Sequence, residues 1–433
     1  MPISSFMGLE TSLRGLLAQQ RALDVTSHNI ANANRAGYTR QEAVMAAAPA
    51  LDVPGAVQSG ATAQLGQGVD VQAYRRMRDA FADLQYRAAN MTYGDGSTRA
   101  GSLDQVDDAF GEPSDTGLNT ALSNFFDSWD ALAANPESSA AKQVVVGTAT
   151  TLASAFNALD SRLAALAGNA QSEYADLTGP NGAVMNAANE LQQLNVSIRD
   201  AVQGGGSPND LLDRRDEILD NLSQLGQVSV TNLANGMIAV QFGDAAQPLV
   251  DAGNAVNPPT GMTAPGGKLG ALLGVQTTIA GYRSALDQVA TRLATDVNGA
   301  LGGVPFFSGT SAATIGVAVT AAALPTTATG APGANELARA VAALRGSGAQ
   351  AAYADLVHVM GADAATADRA AQTGKALVDA ADTRRQSTNG VSLDEEMTNM
   401  VRFQRGYQAS ARALSTMDEM LDVLINRTGK VGL

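Results

Sequence analysis

Apolar residues recur every seven positions at both ends of the chain: Leu9, Leu16, Leu23 and Ile30 near the start, and Leu393, Met400, Tyr407, Leu414 and Leu421 near the finish. That period marks a helix with a narrow apolar seam for a partner helix, and it favours a left-handed supercoil. Leu13 thickens the first stripe, and Met397, Phe403, Ala411, Met417 and Leu424 thicken the second. Ser392 followed by Glu395 predicts a capping box at the start of the C-terminal helix. The run Asn32-Ala33-Asn34-Arg35-Ala36-Gly37 predicts the exit of the first helix, because Asn and Gly accept left-handed conformations. Periodicity alone fits two roles, core faces of one helical domain or seams completed by other molecules. Two helices bury little by themselves, which favours completion by neighbours.

Between the stripes the pattern is mostly helical. Pro49, Pro54, Gly55, Gly60, Gly66 and Gly68 predict an extended or irregular segment from Tyr38 to about Tyr74, with a short strand over Val69 to Tyr74. Helices are predicted over 78–109 and 117–134, the second carrying the single Trp129 beside Phe125 and Phe126. A longer helical stretch over 139–202 is expected to break at Gly168 and again at Thr178-Gly179-Pro180-Asn181-Gly182. Asp210 to Leu225 reads as a helix whose charged block, Asp213, Arg214, Arg215, Asp216 and Glu217, is expected to form ion pairs on the helix surface. Alternation around Ala234-Asn235-Gly236 predicts a β-hairpin over 227–242. A helix over 269–301, short strands and loops over 302–332, and further helices from Asn335 complete the pattern.

Composition narrows the function. At 433 residues the chain can hold several domains. Forty-two acids against 28 bases give a net charge of -14, which repels nucleic acid and anionic lipid. No apolar run approaches the roughly 18 residues of a membrane span, so no membrane insertion is expected. The absence of cysteine excludes disulfides, thiolate nucleophiles and Cys-ligated metals. The first thirty residues lack the basic region, apolar block and cleavage site of a secretory signal, so any exit from the cell is expected by another route. The only histidines, His28 and His358, have no second His or Glu at ligand spacing. Asp394, Glu395 and Glu396 suit a helix N-terminus, and Gly66-Gln67-Gly68 is too short for a dinucleotide fingerprint. No catalytic, cofactor-binding or metal site is expected.

Four blocks carry a resemblance. Ser27-His28-Asn29-Ile30-Ala31-Asn32-Ala33-Asn34-Arg35-Ala36-Gly37-Tyr38-Thr39-Arg40-Gln41 resembles the N-terminal signature of bacterial flagellar rod, hook and hook-associated proteins. Gly66-Gln67-Gly68-Val69-Asp70-Val71, with Arg76 and Asp79 downstream, is similar to the second block of that superfamily. Pro208-Asn209-Asp210-Leu211-Leu212-Asp213-Arg214-Arg215-Asp216 resembles the internal motif of the first hook-associated protein family. Val391-Ser392-Leu393-Asp394-Glu395-Glu396 through Arg402-Phe403-Gln404 is similar to that family's C-terminal motif. The motif residues carried over are Asn29, Asn32, Asn34, Gly37, Tyr38, Gly68, Asp79, Asn209, Asp213, Arg215 and Asp216.

The resemblance implies a structural subunit joining hook to filament, exported unfolded by the flagellar type III apparatus and assembled outside the cell. It further implies a homo-oligomeric tube, contacts with hook protein and the next junction protein, and an export chaperone. Hook, rod and hook–filament adaptor proteins are the nearest alternatives, and a flagellum-associated peptidoglycan hydrolase a more distant one. The fold expected is mainly α: antiparallel terminal coiled-coil helices, a long-helix bundle and a smaller β-containing outer domain. The expected division is 1–45 with 390–433 as the terminal pair; 46–226, 266–302 and 336–389 as the bundle; and 227–265 with 303–335 as β-containing parts. Leu9, Leu13, Leu16, Leu23, Ile30, Leu393, Met400, Phe403, Tyr407, Leu414, Met417 and Leu421 are expected to form the assembly seam.

Overall fold

A computed structural model describes residues 6–35, 37–53, 63–346, 348–423 and 425. Ala36, Pro54, Gly55, Gly60 and Leu424, singled out above, lie outside the described residues, as do both ends of the expected terminal pair. The fold is mainly α, with short antiparallel ribbons.

Helix α1 (Phe6–Asn32) stops where its Asn- and Gly-rich exit predicts, and Gly37 turns with a φ of 78°. The segment read as largely irregular holds a second long strand. β1 (Gln41–Ala47) pairs antiparallel with β4 (Val69–Arg76), from Gln41 opposite Arg76 to Ala47 opposite Val69, with a bulge at Val44/Met45. β2 (Leu51–Val53) and β3 (Ala63–Leu65) pair antiparallel in a separate two-stranded ribbon, Leu51 opposite Leu65. Alternation failed to reveal β1 because its residues are nearly all half-buried, so neither face reads as purely polar. The ribbon lies along α1, and at Gly68 a side chain would meet Thr11 at 3.3 Å with φ at 98°. Only glycine meets both conditions without strain.

The bundle follows. α2 (Ala80–Phe110) is capped by Asp79, whose carboxylate accepts from the Phe81 and Ala82 N–H groups. α3 (Leu118–Ala134), α4 (Ser139–Thr178), α5 (Ala183–Gln203) and α6 (Asn209–Leu225) come next. α4 runs unbroken through Gly168, contrary to expectation. A lone exposed-side glycine costs only about 1 kcal/mol in a helix, too little to end one packed along its length. The break falls at Gly179-Pro180, as predicted. β5 (Val228–Asn232) and β6 (Ile238–Phe242) form the expected hairpin. α7 (Gly267–Ala300) leads to β7 (Phe307–Ser308), β8 (Gly316–Val317), a 3₁₀ turn, α8 (Glu336–Ala342), α9 (Ala349–Asn389) and α10 (Leu393–Asp422).

One apolar core spans α2 through α9. Its centre is aromatic: Phe125, Trp129, Phe306 and Phe307 are buried with ring centroids 4.9–6.3 Å apart, each contributing about 1.5–3 kcal/mol by burial. α2 and α9 pack antiparallel, Tyr93 lying against Gly374 and Tyr86 beneath Arg385. No residue of α1 or α10 belongs to this core. The terminal helices pair instead with each other, and α1 also packs along the ribbon.

Candidate assembly site

The pairing of α1 with α10 is antiparallel and held by small residues. Gly8 faces Met417, Gly15 faces Ser410, Gln19 faces Gly406 and Asn29 faces Glu396, each step forward on one helix matching a step back on the other. A Cβ at Gly15 would lie 3.2 Å from Ser410 Oγ, and one at Gly8 would lie 2.7 Å from Met417 Cε. The buried positions of α1 are Ala18, Ala22, Thr26 and Asn29. Small side chains let the backbones approach closely, so the seam gains contact without large apolar residues.

The predicted seam residues take different places. Leu9, Leu16, Leu23 and Ile30 are half-buried beside the glycine-alanine seam, and Leu13 is exposed. On α10, Met400, Phe403, Leu414, Met417 and Leu421 are half-buried, whereas Leu393 and Tyr407 are exposed. Small residues at helical spacing were the signal that a search weighted by hydrophobicity passes over.

The root of the pair is polar. Asn29, 1% exposed, uses its whole amide: Nδ2 donates to Gln41 O and Glu396 Oε2, while Oδ1 accepts from Tyr38 Oη (2.7 Å) and Gln41 N (3.0 Å). Burial pushes the Tyr38 hydroxyl up, with nearby Asp213 adding to the effect. Glu396 also accepts from Arg40 Nε at 2.8 Å, and Glu395 pairs with Arg40 Nη1 at 2.7 Å. The capping box is therefore half formed. Ser392 Oγ accepts from Glu395 N, but the Glu395 carboxylate turns to Arg40.

Below it the chain from Thr39 to Gln41 is woven into the bundle. Thr39 N donates to Asp213 Oδ2 (3.1 Å), Arg40 N to Asn389 O, and Met77 N to Arg40 O. Asn209 Nδ2 reaches Gln41 Oε1 and Tyr74 O, both at 3.0 Å. An alternating charge chain continues inward. Asp216 binds Arg76, Arg78 and Arg87; Asp220 binds Arg87 and Arg385; Arg78 also holds Asp83. Arg76 Nε and Asp213 Oδ1 are 2.9 Å apart but misaligned for a hydrogen bond, so that contact is an ion pair alone.

The charged block of α6 is thus not the surface lattice expected. Asp213 and Asp216 are nine-tenths covered by partners more than a hundred positions away, and only Arg214, with Glu190 and Glu217, fits the surface reading. Burial raises the Asp213 carboxyl despite Arg76. Burial also opposes ionisation of Asp216, but Arg78, Arg76 and Arg87 outweigh it and hold that carboxyl below its ordinary range. Arg215 is lowered by burial and donates to Gly236 O at 2.9 Å, tying the β5–β6 hairpin to the same helix.

Most motif residues converge here: Asn29, Tyr38, Asn209, Asp213 and Asp216 in the clasp, with Gly37 beside Glu217 of α6. Asn32 closes back on His28 O, Asn34 is exposed, Gly68 fits the ribbon to α1, and Asp79 caps α2. Arg40, Arg76 and Glu396 stand in or beside the resembling blocks, but their part in the clasp, like that of Arg78, Asp220 and Arg385, was not legible in the sequence. Nothing in their local spacing identifies their distant partners. The arrangement fastens elements together, and among the described residues no group of three or more His, Asp or Glu is placed to hold a metal ion.

Comparison with known proteins bears on the family of the chain. Residues 103–261 match the model of the flagellar hook-associated protein FlgK helical domain, 383–427 that of the flagellar basal body rod FlgEFG protein C-terminal region, and 9–39 that of the flagella basal body rod protein. Flagellar hook-associated protein 1 of Bacillus subtilis is 31% identical with 99% of each chain covered. The Salmonella typhimurium protein of that name is 33% identical over 54% of this chain and 43% of its own. A solved structure of the flagellar hook junction protein FlgK from Burkholderia pseudomallei aligns with a TM-score of 0.43 at 28% identity, covering 50% of this chain and 43% of that one. The full-length match at this identity means that the chain belongs to the flagellar hook-associated protein 1 family, structural proteins of the flagellum and not enzymes.

Proposed function

We propose that the chain is a structural subunit of the hook–filament junction, assembled into a tube through α1 and α10. The observation that carries this reading is the character of the terminal pair. It stands outside the core, its seam is made of small residues, and Phe6, Leu13, Leu17, Leu393, Met397 and Val401 remain exposed on its flanks. A helix pair with this little burial is completed by neighbouring copies, hook protein on one side and the next junction protein on the other.

The division that follows has three parts: a terminal pair over 1–45 and 390–433, a bundle over 46–226, 266–302 and 336–389, and β-containing parts over 227–265 and 303–335. The clasp between Asn29 and Asp220 joins the first part to the second. Export unfolded through the flagellar type III apparatus, with a dedicated chaperone, and assembly outside the cell belong to the same reading. A chain without cysteine carries no crosslink to hinder threading. Terminal helices that order only on assembly hold back premature polymerisation, because the ordering entropy is offset only when neighbours cover the seam.

Electron microscopy of a deletion strain tests the role. Hooks without filaments, with flagellin released into the medium, are expected. Missing hooks would assign the chain to rod or hook instead, and normal filaments would remove the junction role.

A further inference from the structure

Without cysteine, methionine is the one residue type in the chain whose sulfur a peroxide can oxidise, and thirteen are present. The core shelters some of them: Met360 is 1% exposed, and Met237 and Met262 are 8% exposed. Helix α10 holds four, Met397, Met400, Met417 and Met420, and none of these is buried. Met397 is 61% exposed and Met420 50%, while Met400 and Met417 are half-buried. Accessible sulfur is thus concentrated on the helix that pairs with α1.

Met417 stands apart by what it touches. Its thioether lies over Gly8 of α1, where a Cβ would be 2.7 Å from Met417 Cε and 2.8 Å from Sδ. The sulfur fills the space that the missing side chain leaves, and the two helices meet through it. A thioether suits that place because it is apolar and flexible enough to fill an irregular gap. An added oxygen turns the same atom into a larger, polar group with lone pairs to satisfy, set against the bare backbone of Gly8. Either the side chain then turns out to water or the helices part, and both remove the contact.

We propose that Met417 is an oxidation site whose conversion to the sulfoxide unlocks the α1–α10 seam, with a peroxide-type two-electron oxidant as the reagent. The sulfur lone pair attacks one peroxide oxygen, so an S–O bond forms as the O–O bond breaks. With hydrogen peroxide, the second oxygen leaves as hydroxide and takes the proton from the first to become water; sulfur is oxidised and peroxide reduced. Met420, half exposed to solvent, can take the same oxygen and keep it in water. The consequence for assembly rests on the junction role proposed above, whereas the oxidation itself does not.

Mass spectrometry of the full chain after a brief hydrogen peroxide treatment reads the site directly. Met397, Met417 and Met420 are each expected to gain one oxygen roughly tenfold faster, or more, than Met360. In cells, Met417→Gln places a polar amide near where the sulfoxide would be and is expected to cut filament-bearing cells roughly tenfold, against less than about twofold for Met420→Gln. Cells carrying Met417→Leu, scored after peroxide against the same cells untreated, are expected to keep filaments that the parent strain loses. Trp129 fluorescence checks that the bundle is folded in each variant. A Met417 as slow to oxidise as Met360, equal effects of the two glutamine variants, or equal peroxide losses in Met417→Leu and parent overturns the proposal. A deletion strain that still grows filaments overturns the junction role instead, and the mass-spectrometric ranking then decides the oxidation site by itself.

Discussion

Asn29 Nδ2 donates to Glu396 Oε2 at 3.2 Å, joining two buried side chains 367 positions apart in the chain. The bond closes the root of the terminal pair, and every polar group around it has a partner in the same clasp: Tyr38, Arg40 and Gln41. A buried amide with all its hydrogen-bonding capacity used fixes one register, because any slip leaves several groups unpaired at once.

Asn29→Leu is therefore expected to be more damaging than its size suggests. It strands the Gln41 N–H, the Tyr38 hydroxyl and one Glu396 oxygen, each at about 1–3 kcal/mol if left unpaired. Hydrogen exchange at the Gln41 amide is the direct measurement. Protection equal to that of the parent chain would show that the clasp does not hold the root.

Asp216 and Asp213 should respond to pH with opposite signs. Asp216 has its carboxyl held low by Arg78, Arg76 and Arg87, so its stabilisation is present above the ordinary carboxylate pKa and is lost as pH falls through the lower folded value. Asp213 is raised by burial, so its contribution is fully present below the ordinary pKa and is lost as pH rises through the folded value. At neutral pH Asp216→Asn is expected to cost about 3–5 kcal/mol by leaving three arginines under-compensated, and Asp213→Asn distinctly less. Denaturant melts of both variants at pH 7 and pH 4 check the ranking; equal losses would contradict it.

Leu414→Asp places a charge on the half-buried flank of the seam, and Gly15→Leu forces the helices apart at Ser410. Both are expected to abolish assembly while leaving the bundle folded. Trp129, the single tryptophan and fully buried in the core, reports the bundle by its fluorescence. Normal filament growth in either variant would exclude the seam from assembly.

Arg385→Lys keeps the charge but loses the guanidinium stacked 3.8 Å over Tyr86 and shared between Asp220 and Asp382. A lysine cannot reproduce the planar fork, so a loss of about 1–2 kcal/mol is expected. A thermal midpoint unchanged within error would show that charge alone suffices there.

Limited proteolysis of the free chain should trim α1 and α10 from their far ends back toward the clasp, N-terminal to Asn29 and C-terminal to Glu396. The backbone from Thr39 to Arg40 is held by Asp213, Asn389 and Met77 independently of the helices beyond it. Terminal helices that resist protease in dilute solution would count against ordering on assembly.

Local signals were enough to place the long helices, the Gly179-Pro180 break, the hairpin at Asn235-Gly236 and the cap at Ser392, because each depends on neighbours within a few residues. Gly168 misled because a glycine's local penalty is small beside the packing of a 40-residue helix. β1 was hidden by its two half-covered faces.

By itself, then, the sequence determined that the chain is mainly helical and that its two ends are amphipathic helices, and it carried four motif blocks that resemble flagellar axial proteins, two of them the first hook-associated protein family. Periodicity and turn chemistry are short-range, and they survive in a one-dimensional reading. Only the tertiary structure decided that the motif residues Asn29, Tyr38, Asn209, Asp213 and Asp216 meet in one clasp, and that glycine and alanine line the helix seam beside the leucines. A buried charge is tolerated only when its partner arrives, and those partners lie more than a hundred residues away along the chain.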